Sequence, residues 1–160
     1  MSLFEAEDYT TSSEAIRKIG KIISDRHLEH GTLYDLGSCR GSFVFGILGV
    51  CPDLRVIGID KDALKIRFSK LRRFFHSYRT EPVFLQADIF DADVSDVDMA
   101  FVYVPRPFLP AIETKLQHEM KIGALAITYR INFPNRHAIE VFPTDMYSEE
   151  RNNIFVYQKA

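Results

Sequence analysis

The sequence predicts an α/β fold: a three-layer sandwich whose sheet is mainly parallel, with an antiparallel strand at its C-terminal edge. Three observations point there. Short strand-like runs alternate with helical patterns through the first 130 residues, and such alternation builds a parallel sheet with crossover helices on both faces. The chain then closes on strand patterns alone, which brings antiparallel pairing. Finally, 160 residues with 46% hydrophobic content suit one domain, residues 1–160, with its own core.

The elements follow in order. Thr11 and Glu14 fit a capping box, a hydroxyl followed three residues later by a carboxylate. Behind it Ile16, Ile19 and Ile23 recur at helical spacing. Leu33 to Leu36 is a short strand that ends on Gly37. The loop Gly37-Ser38-Cys39-Arg40-Gly41-Ser42 leads into Phe43 to Val50, apolar on every side, which predicts a buried helix. Arg55 to Asp60 is the second strand. Lys61 to Tyr78 is the clearest helix, with Leu64, Phe68, Leu71, Phe75 and Tyr78 forming one apolar stripe. Pro82 to Gln86 and Asp98 to Val104 are the third and fourth strands. A helix from about Phe108 to Met120 and a fifth strand, Ala124 to Tyr129, follow. Ala138 to Phe142 and Ile154 to Tyr157 complete the set.

Composition excludes several classes. With 20 Lys+Arg against 22 Asp+Glu, the net charge is −2, so the surface as a whole is not built for nucleic acid. Locally the balance differs. Lys61 to Arg79 holds seven Lys/Arg and one acid, while Asp88 to Asp98 holds five Asp and no base. No apolar run approaches the roughly 20 residues of a membrane helix. The acidic start lacks the pattern of a signal peptide, so a cytoplasmic location is expected. Two cysteines, Cys39 and Cys51, make neither a disulfide scaffold nor a four-cysteine zinc site, and the histidines show no ligand spacing. No metal is assigned.

The residues that carry chemistry fall at predicted strand ends, where open α/β sheets bind ligands. The glycine loop lets a ligand approach its amides and ends at a helix N-terminus, which favours an anion. Asp60 lies about twenty residues after the loop, where a carboxylate accepts ribose hydroxyls; its alternative role is a helix cap. Asp88 is placed for an exocyclic amino group, or else for a turn. Positions 39 and 42 are Cys and Ser where a dinucleotide fingerprint starting at Gly37 needs glycine. No Gly-Lys-Ser/Thr follows, which excludes a phosphate-binding loop.

Asp35-Leu36-Gly37-Ser38-Cys39-Arg40-Gly41 resembles the first motif of class I, Rossmann-like S-adenosylmethionine-dependent methyltransferases, acidic-x-Gly-x-Gly-x-Gly. Val56-Ile57-Gly58-Ile59-Asp60 resembles their second motif and Ala87-Asp88-Ile89 their third. The resemblance spans nearly all the chain; it departs at Cys39, which replaces the middle glycine. It implies S-adenosylmethionine as cofactor and S-adenosylhomocysteine as product. Asp35 would lie near the methionine amino group, with Gly37, Ser38, Cys39 and Gly41 around the methionine part. Asp60, with Lys61 beside it, would hold the ribose, Asp88 the adenine amino group, and Ile89 the ring face. In layout the chain is similar to small archaeal protein-lysine methyltransferases, in which the segment before and through the first helix, here residues 1–30, closes the cofactor site.

The expected acceptor is therefore a protein lysine; RNA, docked on Lys61 to Arg79, or a small molecule is the alternative. A lysine must arrive neutral, and moving its pKa from about 10.4 to near 7 corresponds to roughly 4–5 kcal/mol. A poorly hydrated aromatic channel supplies part of that, and Tyr103 and Tyr9 are the candidates to line it, with Tyr129. Two other readings compete. Cys39 in Gly-x-Cys-x-Gly also fits a nucleophile elbow, with His118 or His137 as base. A cofactor-binding protein without catalysis is the second.

Overall fold

The computed structural model describes residues 10–144 and 152–160. Tyr9 lies outside the described residues. Among the described residues seven strands form one sheet: β1 (Thr32–Leu36), β2 (Arg55–Asp60), β3 (Val83–Gln86), β4 (Met99–Val102), β5 (Leu125–Tyr129), β6 (Glu140–Pro143) and β7 (Asn153–Gln158). Their order is β3-β2-β1-β4-β5-β7-β6. The first five pair in parallel, while β7 runs antiparallel to both β5 and β6. The antiparallel pairing comes from the C-terminal strands, as expected. The reversed strand sits one place in, and β6 forms the edge. The order reverses at β1 and β4, so a crevice opens at the carboxyl ends of these two strands.

Four described helices complete the layers: α1 (Ser13–Asp25), α2 (Ser42–Val50), α3 (Ala63–Arg73) and α4 (Leu109–Glu119), the last entered through a 3-10 turn at Arg106–Phe108. On one face of the sheet, Ile19 and Ile23 of α1, Val44 and Ile47 of α2 and Ile66 of α3 bury against the sheet with Phe101 and Ile127. On the other face, Ile112 and Leu116 of α4 pack with Val102, Ala126 and Tyr157. The first helix is capped one residue later than the capping box predicts. Ser12 Oγ accepts from the Ala15 amide at 3.1 Å, and Thr11 is buried instead. The third helix ends at Arg73, before Tyr78. Its apolar stripe exists but faces away from the sheet; the buried positions are Ile66 and Ser69. No described helix is long and apolar enough to cross a membrane.

Candidate functional site

The loop between β1 and α2 is fixed by its own backbone. Gly37 turns with φ 89° and Gly41 with φ 76°, and Cys39 between them also has positive φ, 49°. That region suits glycine. The amides of Gly37 and Ser38 both donate to Ile59 O at 2.9 Å, and that of Gly41 donates to Ser38 O at 2.8 Å. The Cys39 amide donates to Asp60 Oδ2 at 2.9 Å. These four amides thus all donate within the fold. The sharp turn folds the first three N–H groups in sequence back onto the end of β2 and that of Gly41 onto the loop itself. What remains for an anion is the first turn of α2, whose cap residue Gly41 offers no side chain to it.

Gly58 makes this seat. A Cβ there would lie 2.9 Å from Ser38 Cβ and Oγ and from Phe84. Ser38 is buried, and its Oγ has no hydrogen-bond partner among the described residues. Beside it Asp35 is also buried, 4% exposed. Burial, then the nearby Asp60 carboxylate, push the Asp35 carboxyl up to about 8. A buried group in that state is completed by a cation or by hydrogen-bond donors.

Two chambers open at the strand ends. The first, about 250 Å³, has Asp35, Ser38, Cys39, Phe43, Phe101 and Tyr103 in its wall, joined by Thr10 and Thr11 and by Phe68 and Arg72 of α3. The second, about 200 Å³, is lined by Asp60, Lys61, Asp88, Ile89, Phe90 and Phe108, among others. Gly37, Cys39 and Tyr103 line both. Together the chambers have the size of an ordinary small-molecule site. One is polar around a buried carboxylate; the other is flanked by exposed rings and two carboxylates.

The structure brings Asp35, Gly37, Ser38, Cys39, Asp60, Lys61, Asp88, Ile89 and Tyr103 to these walls. Gly41 is not in the wall of either described chamber; it turns the loop against Phe84. Asp60 is not the helix cap, because Asp62 takes that role, accepting from the Leu64 and Lys65 amides at 2.9 and 3.2 Å. Asp60 Oδ1 accepts from the Asp62 amide at 2.9 Å. Asp88 is exposed and does serve a turn, its Oδ1 accepting from the Phe90 amide at 3.0 Å. Cys39 lines both chambers, whereas neither His118 nor His137 lines either, which disfavours the elbow reading.

At the end of β5, Tyr129 is buried with its ring edge-on to Tyr103 at 5.1 Å. Its hydroxyl lies 3.3 Å from Ser12 Oγ. The next residue, Arg130, has φ 64°, and its guanidinium donates to the Tyr103 hydroxyl at 3.4 Å. Sequence reading missed Arg130, as well as Phe43, Phe68, Arg72 and Phe108. An arginine directly after a strand ending in tyrosine was the available signal for the first. The others come from helices whose approach to the site depends on packing.

No family model matches the chain, and no curated protein matches it in sequence. Solved structures do. An RNA methyltransferase from Salinibacter ruber in complex with S-adenosyl-L-homocysteine superposes with a TM-score of 0.70 at 19% identity, over 86% of this chain and 90% of that one. An S-adenosylmethionine-dependent O-methyltransferase from Thermotoga maritima gives 0.69 at 16%, over 98% and 69%. Coclaurine N-methyltransferase bound to N-methylheliamine and S-adenosylhomocysteine gives 0.57 at 16%, over 77% of this chain and 38% of that one. These neighbours are class I methyltransferases acting on different acceptors, and the shared feature is the Rossmann-like fold.

Proposed function

We propose that this chain binds S-adenosylmethionine in the two joined chambers and transfers its methyl group to an acceptor entering beside Tyr103. The observation that carries the reading is Asp35. It is a buried carboxyl held in its protonated range, at the crevice where the strand order reverses, next to an unpartnered serine hydroxyl. An ammonium group would ionise Asp35 and complete the site. The amino-acid end of the cofactor carries such a group, with a carboxylate suited to the first turn of α2. Asp60 would take the ribose hydroxyls on lone pairs left beside its two amide contacts. Asp88, Ile89, Phe90 and Phe108 would surround the adenine. The cofactor supplies the reactive methyl; the protein supplies position and a dry channel.

The acceptor has two readings. The edge-on pair Tyr103 and Tyr129 supports a lysine, since an aromatic wall disfavours the ammonium form. Arg130 supports RNA, because its guanidinium at the Tyr103 hydroxyl favours an anionic neighbour. Calorimetry with S-adenosylmethionine on the wild type and on Asp60→Ala tests the cofactor site. Binding by the wild type that weakens at least tenfold in the variant is expected, and no wild-type binding would sink the reading. Tritium transfer from the labelled cofactor into protein or RNA fractions then separates the acceptors.

A further inference from the structure

The solvent face of α3 is apolar where a surface helix is ordinarily polar. Leu64, Phe68 and Leu71 are 73%, 50% and 59% exposed, and Phe74 and Phe75, at the end of the helix, are 75% and 74% exposed. At about 100° per residue, Leu64, Phe68 and Leu71 fall within roughly 60° of arc, opposite the buried Ile66 and Ser69, and Phe75 follows in the turn past the helix end. Their spacing is four, three, four, the seam spacing of helices that pack side by side. The positions flanking that seam are basic: Lys65 and Arg72 on one side, Arg67 on the other, with Lys70 beyond it. A contiguous apolar patch rimmed by charge marks an interaction surface.

We infer that this face is a docking surface for an amphipathic helix of a protein partner, apolar along its seam and acidic along its flanks. Charge selects the occupant. A second copy of this chain would set one basic rim against another, which like-charge repulsion disfavours. Two of the five exposed side chains, Leu64 and Leu71, are aliphatic and fit interdigitating side chains; a single-stranded nucleic acid, which uses ring faces and cations, would match Phe68, Phe74 and Phe75 but leave both leucines unmatched. Phe68 and Arg72 belong both to this face and to the wall of the first chamber. A partner docked on α3 therefore sits at the rim of the candidate site. The inference stands without the cofactor reading.

The test uses the full chain and a fluorescein-labelled helical peptide of about 18 residues, with Leu along its seam and Glu along its flanks. A matched peptide with Lys at the flanks is the control. Fluorescence anisotropy should show the Glu peptide binding at least about tenfold more tightly than the Lys peptide, with an affinity that falls as salt rises. Leu71→Glu should weaken it at least about tenfold with an unchanged circular dichroism spectrum and melting temperature, and Phe75→Ser should do the same in case the first variant fails to fold. Arg67→Glu should shift preference toward the Lys peptide. Equal binding of the two peptides, or no loss in either apolar variant, overturns the proposal. So does binding of single-stranded RNA or of phosphatidylserine vesicles, abolished by Leu71→Glu, when the Glu peptide does not bind. Peptide binding seen only after removal of residues 2–8 also overturns it, because it gives the face to the chain's own acidic segment, Leu3-Phe4-Glu5-Ala6-Glu7-Asp8.

Discussion

Asp35 sets the pH behaviour of the ligand-free protein. Unfolded, its carboxyl ionises near 3.8; folded, burial and then Asp60 hold it up to about 8. Between these values the folded state carries the extra proton, so stability falls as pH rises from about 4 to about 8 and then levels. Asp35→Asn removes that slope. At pH 8 it should raise stability by about 1–3 kcal/mol in urea titrations, while weakening S-adenosylhomocysteine binding at least about tenfold. In the wild type, affinity for that ligand should rise with pH up to about 8, because binding expels the proton from Asp35. A flat profile would show that Asp35 does not meet the ligand's ammonium. Cys39 poses the opposite problem, since it holds positive φ without glycine's freedom. Cys39→Gly should stabilise by about 1 kcal/mol, a rise of roughly 2–4 °C in melting temperature. Failure to rise would mean that the thiol's contact with Lys65 Nζ at 3.7 Å outweighs the strain. Gly58→Ala should act the other way, since its Cβ collides with Ser38 and Phe84. A loss of about 1–3 kcal/mol is expected from that overpacking.

At the scale of elements, local chemistry was readable wherever one residue type has one reason to be present. Gly37 and Gly41 marked the turn because only positive φ allows it, and the buried α2 was evident in its all-round apolarity. The helix cap shows the limit. Thr11-Ser12-Ser13 offers three hydroxyls in a row, and which one caps is decided by the burial of Thr11, not by the local pattern. Ser12→Ala should therefore cost about 1 kcal/mol by thermal denaturation, and the hydroxyl of the neighbouring Ser13, already inside the helix, should not compensate. The α3 stripe shows a deeper limit. Period alone says that Leu64, Phe68 and Leu71 share a side; it does not say on which side the sheet lies. Ile66 and Ser69 face inward, Ile66 in the core cluster that holds Phe84 and Ser69 with its Oγ 3.4 Å from Cys39 O. The insertion of β7 between β5 and β6 was likewise hidden, because pairing partners lie far apart in sequence. Arg130 was missed for the same reason: its meeting with Tyr103 needs β4 and β5 to be neighbours.

For the whole molecule, the net charge of −2 is a cancellation between two separate regions. The basic α3 rims the first chamber, and the acidic Asp88 to Asp98 stretch begins at the second. A ligand that lies across both chambers touches the carboxyl ends of β1 through β4 together, and so ties the two halves of the sheet at their switch point. Binding should then stabilise the molecule as one unit. At a concentration a hundred times its Kd, S-adenosylhomocysteine should add about 2.7 kcal/mol, seen as a rise of roughly 5–10 °C in a single melting transition. Asp60→Ala, with at least tenfold weaker binding, should lose about half of that rise or more at the same ligand concentration. Its own stability should also fall by about 1–3 kcal/mol, because Asp60 accepts from the Cys39 and Asp62 amides and so holds the loop to the strand end. The two effects separate in one experiment, since the first needs ligand and the second does not. A variant that melts lower but still gains the full ligand-induced rise would reduce Asp60 to a loop anchor and move the ribose contact elsewhere in the second chamber.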